Sequence, residues 1–206
     1  MGSDPRKLSS TTTTEHGEVI VLNGASSAGK STLAVALQAE LIAAGECWFV
    51  WAVDDFLAKL PEAWLGYFEV GDHADEGVRF DRVGDAIELR TGPIGDGLFA
   101  VYRETIGRLA RAGLNVIVDE VILTESGWLD WQRQLDGLSV QWVRVECPLA
   151  VIEQREGDRG NRLIGMARSQ LRTVHRFPAY DVAIDTAELT PAAAARRILE
   201  ARQPGR

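Results

Sequence analysis

The sequence of 206 residues has only two cysteines, Cys47 and Cys147. Two thiols cannot build a disulfide framework, and each stands in an apolar run that reads as a strand, so both are expected as buried free thiols. Histidine is almost as scarce, at positions 16, 73 and 175, and no Cys/His grouping has the spacing of a zinc site. No apolar stretch reaches the ~18 residues of a membrane span. The N-terminus lacks the charged-then-apolar order of a secretion signal. Positive charge is in deficit: 22 Lys and Arg against 30 Asp and Glu leave −8 at pH 7. That balance argues against a dedicated nucleic-acid or anionic-membrane binder, although it leaves room for a local basic pocket. Neither a G-x-S-x-G hydrolase signature nor the N-K-x-D segment of guanine readers occurs. A cytoplasmic protein with one domain of ordinary size is the expectation, since a hydrophobic content of 46% suffices for a core.

Residues 1–16 are polar, with four threonines in a row from Thr11, and read as a mobile tail. From residue 17 onward, short apolar runs alternate with helical stretches. The runs are 18–23, 47–53, 115–119, 140–146 and 180–185. Near-continuous apolar runs suit strands covered on both faces, as in a parallel sheet. Between them, Leu33, Leu37, Leu41 and Ala44 fall at helical spacing before Gly45. A second helix is expected over 98–112, ending at Gly113, and a last one with Thr190 as N-cap and Pro191 in its first turn. This alternation predicts an α/β fold: a doubly wound parallel five-stranded sheet with helices on both faces. Residues 61–97 break the rhythm with seven glycines and two prolines. Such an insertion, following the C-terminal end of the second strand, is either a mobile cap over a pocket or a structural appendage.

The segment Gly24, Ala25, Ser26, Ser27, Ala28, Gly29, Lys30, Ser31 fits G-x-x-x-x-G-K-[ST] without a gap, and Thr32 follows. It succeeds an apolar strand and opens an amphipathic helix, as a phosphate-binding loop requires. Its glycines let the backbone curl so that N–H groups point at phosphate oxygens, and the helix start adds a positive dipole end. Lys30 would reach the β- and γ-phosphates of ATP, and Ser31 would give an oxygen to Mg²⁺.

Three further features bear on the reaction. Asp54 and Asp55 stand at the end of the second strand, where a carboxylate can accept a proton from an incoming hydroxyl, or can cap a helix beginning near Phe56. Position alone leaves both readings open. The run 116–119 ends in Asp119, like the strand whose carboxylate helps to hold Mg²⁺ in nucleotide-binding loops; Glu120, next to it, could serve metal, water or substrate. Between two helices, Arg155, Arg159 and Arg162 form a glycine-interrupted cluster over 155–165 that suits a lid able to neutralise a transferring phosphoryl group.

These residues together resemble the chloramphenicol phosphotransferase-like family of P-loop kinases. The matching pieces are the run from Leu22 to Ser31, Val53-Asp54, the run from Val118 to Val121, Arg159 to Arg162, Gly165-Met166-Ala167, Val174-His175, Tyr180-Asp181-Val182 and Asp185-Thr186. The resemblance implies ATP-dependent transfer to a hydroxyl of a small molecule, with antibiotic inactivation as the known activity. It also implies Asp54 as the base and Arg159 and Arg162 as lid arginines. Two departures stand out. Asn161 replaces the family's Asp, and the insertion is longer, which points to an acceptor pocket different from that for chloramphenicol, with a nucleoside antibiotic as a competing acceptor.

Overall fold

The computed structural model describes residues 16–67, 69–159 and 165–202. Along the chain run β1 (Val19–Asn23), α1 (Lys30–Ala43), β2 (Trp48–Ala52), α2 (Val53–Leu57) and a 3₁₀ turn at Glu62–Trp64. Next come β3 (Leu65–Gly66), β4 (Val78–Val83), β5 (Ala86–Thr91), α3 (Pro93–Arg111), β6 (Asn115–Glu120) and α4 (Glu125–Gln134). The remainder is β7 (Val140–Glu146), α5 (Leu149–Arg159), α6 (Met166–Gln170), β8 (Val182–Asp185) and α7 (Pro191–Glu200). Strands β2-β6-β1-β7-β8 form one sheet in that order, and every pairing in it is parallel. The five apolar runs are therefore its five strands.

The side-chain alternation of β1 divides the core. Ile20 and Leu22 face α1, α5 and α7 through Leu33, Leu37, Ile152 and Ile198. Val19 and Val21 face the opposite way, toward Tyr102 and Ile106 of α3 and Trp131 of α4. Strands buried on both faces need apolar residues at every position, which explains the unbroken runs. The chain steps outward from β1 to β2, returns to β6 beside β1, and crosses to β7 on the other flank. The C-terminal ends of β1 and β6 thus lie where the connections diverge, the place where α/β sheets bind ligands.

Several expectations are corrected. Cys147 is buried just past the end of β7, an interior strand, but Cys47 is exposed just before β2, which lies at the sheet's edge. Ala44 is exposed at the end of α1, whereas Leu33, Leu37 and Leu41 are buried as their spacing required. Asp54 and Asp55 do not end a strand: β2 stops at Ala52 and both stand in the first turn of α2. The helix expected over 98–112 begins earlier, at Pro93. Its first turn belongs to the segment read as insertion, and Pro93 in that turn is the signal that marks it. Residues 1–15 of the polar tail, and Arg162 with most of the lid loop, lie outside the described residues.

The insertion carries its own sheet, β3-β4-β5, in which β4 and β5 form an antiparallel hairpin across Gly84 and Asp85. Its glycines permit close backbone packing: a Cβ on Gly77 would meet the Trp64 carbonyl oxygen at 2.0 Å. The segment is folded rather than irregular. Arg168 of α6 pairs with Asp85 at its turn, and the Ile87 N–H donates to the Gly165 carbonyl.

Candidate active site

The loop between β1 and α1 sits at the divergence point. Two residues in it take left-handed backbone conformations, Ser27 (φ 58°) and Gly29 (φ 92°), and these turn the chain into the start of α1. Gly24 is required by packing, since a Cβ there would lie 2.4 Å from the Val145 carbonyl oxygen of β7. Asn23, fully buried at the end of β1, fixes the loop's entry. Its Nδ2 donates to the Val174 carbonyl at 2.7 Å and to the Tyr180 hydroxyl at 2.6 Å, and its Oδ1 accepts from the Ile122 N–H at 2.8 Å.

Lys30 is buried, a rare condition for lysine that calls for partners. Its Nζ donates to the Ala25 carbonyl at 2.9 Å and stands 3.6 Å from Asp119 Oδ1. Ser31 Oγ donates to Asp119 Oδ2 at 2.6 Å. Parallel pairing of β1 with β6 brings this about, because it sets Asn23 level with Glu120 and so carries Asp119 to the mouth of the loop. One hydroxyl and one carboxylate at hydrogen-bond distance, with Lys30 beside them, fit an Mg²⁺-nucleotide, because Mg²⁺ keeps several waters and needs few protein oxygens. The buried Ser27 Oγ, which has no hydrogen-bond partner among the described residues, fits a phosphate oxygen as its partner. Thr32 lies one turn outward, exposed, beside Leu33, Arg155, Thr186 and Leu189 in a neighbouring hollow.

Three residues not singled out individually from sequence hold this loop. Gln170 Oε1 accepts from the Ser26 N–H at 2.6 Å. Thr186 Oγ1 donates to the Ala28 carbonyl at 2.7 Å. Arg155, seen before only as one member of a basic cluster, donates from Nη2 to the Thr186 carbonyl at 3.1 Å. Arg159 is the last residue of α5. Glu156 is almost fully buried in the same helix and accepts from the backbone N–H groups of Gly165 and Ala167, tying α5 to the start of α6.

Asp54 lines the cleft together with Ser31, Lys30 and Asp119. Asp55 turns back, and its carboxylate accepts from the Ala52 N–H at 3.1 Å. It caps α2 from the third helical position rather than from the N-cap itself. Glu120 is buried with both oxygens engaged, by the Val121 N–H at 2.7 Å and by Trp131 Nε1 at 3.1 Å. Burial pushes its carboxyl above the usual carboxylate range. His175 lies in the turn after α6, where Nδ1 meets the Tyr180 hydroxyl at 2.9 Å. The far wall of the cleft is apolar, made by Leu57, Tyr67, Phe80, Leu89 and Phe99, and three of these come from the insertion.

The parallel sheet, with a phosphate-binding loop after its central strand and the Ser31–Asp119 pair at its mouth, defines a P-loop kinase fold. The chain belongs to the chloramphenicol phosphotransferase-like family, whose model matches residues 17–203. It is 35% identical over 191 residues to "Putative O-phosphotransferase Rv2636" of Mycobacterium tuberculosis, covering 91% of this chain and 83% of that protein. Among solved structures it is similar to the M. tuberculosis APS kinase CysC in complex with AMPPNP and APS (TM-score 0.63, 17% identity, 90% and 97% of the two chains covered). A gluconokinase from Sinorhizobium meliloti 1021 is also similar (TM-score 0.58, 21% identity, 91% of each chain covered). No helix among the described residues is long and apolar enough to cross a membrane.

Proposed function

We propose that this protein transfers the γ-phosphoryl group of ATP to a hydroxyl of a small molecule, acting in the cytoplasm, where ATP and Mg²⁺ are supplied together. The observation that carries the reading is the buried Lys30 beside the 2.6 Å Ser31–Asp119 pair, at the floor of a cleft also lined by Asp54. Residues 24 to 32 would cradle the phosphates, and Ser31 and Asp119 would hold Mg²⁺ through an oxygen and an ordered water. The metal, when bound, offsets negative charge on the phosphates. Asp54 accepts the proton of the acceptor hydroxyl as its oxygen bonds to the γ-phosphorus and the bond to the bridging oxygen of ADP breaks. Arg159 and Arg162 of the lid offset the charge that develops during transfer, and exclusion of water at that step prevents futile hydrolysis.

A hydroxylated antibiotic, chloramphenicol-like or nucleoside, is the proposed acceptor, and inactivation of such a compound the proposed role. The family membership supports this reading, and the insertion with its apolar underside supplies a wall for a bulky acceptor. The test is ATP consumption across a panel of hydroxylated antibiotics and metabolites, with the product's mass measured. One acceptor should gain a single phosphoryl group in the wild type and none with Lys30→Ala. Turnover independent of Lys30 would refute the nucleotide assignment.

A further inference from the structure

The chamber in front of the phosphate-binding loop is narrow, about 90 Å³, and cannot hold a drug-sized acceptor by itself. Leu89, Phe99, Glu120 and Leu123 line both this space and an adjoining second chamber of about 400 Å³ between α3, β5 and α4. If the cleft is the acceptor site of a kinase, the reacting hydroxyl occupies the first chamber and the body of the acceptor fills the second.

The second chamber has a definite chemistry. Arg103 of α3 enters it from one side, its Nη1 held by Asp130 Oδ2 of α4 at 2.9 Å. The guanidinium has donors to spare: it carries five N–H groups, Nη1 is held by Asp130, and Nε has no hydrogen-bond partner among the described residues. Gly127 of α4 leaves space at its edge: a Cβ there would stand 3.4 Å from Arg103 Nη2 and 3.1 Å from Thr124 Oγ1. Such donors call for an oxygen. Negative charge is already in excess, however, because Asp96, Glu120 and Asp130 surround the single Arg103 in the lining. Asp130 also pairs with Arg133 from outside the chamber. A carboxylate or phosphate brought here would face three carboxyl groups, whereas an ammonium offers the guanidinium no acceptor atom. An uncharged oxygen satisfies the donor at no such cost.

We infer that Arg103 is a specificity-determining residue that reads an uncharged carbonyl or hydroxyl oxygen at the end of the acceptor remote from the transferred phosphate, with a flat apolar segment lying between on Leu89, Phe99 and Leu123. The inference rests on the kinase reading of the cleft and goes beyond it, since neither the phosphate-binding loop nor Asp54 requires it.

Three rod-shaped probes test it: 4-(2-hydroxyethyl)benzamide, 4-(2-hydroxyethyl)benzoate and 4-(2-hydroxyethyl)benzylamine. Binding of each is titrated by ligand-observed NMR to the whole protein loaded with Mg²⁺ and a non-hydrolysable ATP analogue. The amide should bind roughly tenfold more tightly than either charged probe, the size expected for one hydrogen bond to a charged donor. Arg103→Met should erase that preference. Gly127→Ala keeps every charge and improves helix propensity, and because its Cβ would reach only ordinary contact distance from Arg103 Nη2, it should leave the preference for the amide in place. Affinity for the ATP analogue is the control for folding in both variants. Equal or tighter binding of the benzoate, a preference that survives Arg103→Met, or no binding of any probe to the nucleotide-loaded protein would overturn the role of Arg103 and leave the kinase reading standing. Failure of the wild type to bind the nucleotide would instead strike at the kinase reading itself.

Discussion

Asp54 and Asp55 are adjacent in sequence and differ in where they point. Asp55 accepts from the Ala52 N–H and closes the first turn of α2, whereas Asp54 lines the phosphate cleft. Asp54→Asn is nearly isosteric, so ATP should still bind, but kcat should fall by about 10²–10⁴, the usual contribution of a general base. Asp55→Asn should leave kcat intact and cost under about 1 kcal/mol in urea denaturation, because Asn also accepts backbone N–H bonds. Steady-state kinetics on both variants settle the assignment, and a reversed order of effects would exchange the two roles. His175 gives a second test at this scale. Desolvation first, and the Arg144 charge next, push its pKa down from 6.5 to about 4. The unfolded chain therefore takes up a proton below pH 6.5 that the folded chain refuses until about pH 4. Stability from this residue is complete above 6.5 and declines as pH falls through that window. His175→Gln should flatten the decline, as read from urea midpoints measured across the same range.

The elements show which sequence signals carried their meaning locally. All five strands of the main sheet were legible because burial on both faces demands apolar residues throughout. The phosphate-binding loop was legible because its glycines and lysine are fixed by the chain's own geometry. The hairpin β4–β5 was missed, although Val78 and Phe80 alternate with charged Arg79 and Asp81, and Gly84-Asp85 is a two-residue turn signal. Seven glycines across 61–97 suggested irregular chain, yet several of them serve close packing of backbone on backbone. Gly24 does so at the centre of the site. Gly24→Ala would drive a methyl into the Val145 carbonyl, so it should destabilise the fold by about 1–3 kcal/mol and weaken nucleotide binding together. Denaturant unfolding and nucleotide titration of the same sample check whether the two losses coincide.

Across the whole molecule the site draws on β1, α1, α2, β6, α6 and the insertion, so a bound nucleotide should brace all of them. At about 100 times its Kd, Mg²⁺-ATP should add roughly 2.7 kcal/mol and raise Tm by roughly 5–10 °C for a chain of this size. Lys30→Ala should abolish most of that shift in a thermal melt; an undiminished shift would place the nucleotide elsewhere. By itself the sequence determined the sheet's strands, the phosphate-binding loop and Asp119 as a carboxylate ending an apolar strand, because strand burial and phosphate chemistry are written in residues close together along the chain. Tertiary structure alone decided that β6 lies beside β1, which brings Asp119 within 2.6 Å of Ser31. It also decided that Gln170, Arg155 and Thr186 brace the loop, and that Arg103 faces Asp130 in a second chamber. These pairings join residues 27 to 158 positions apart. Sheet order and helix packing set such contacts, and no local propensity encodes them.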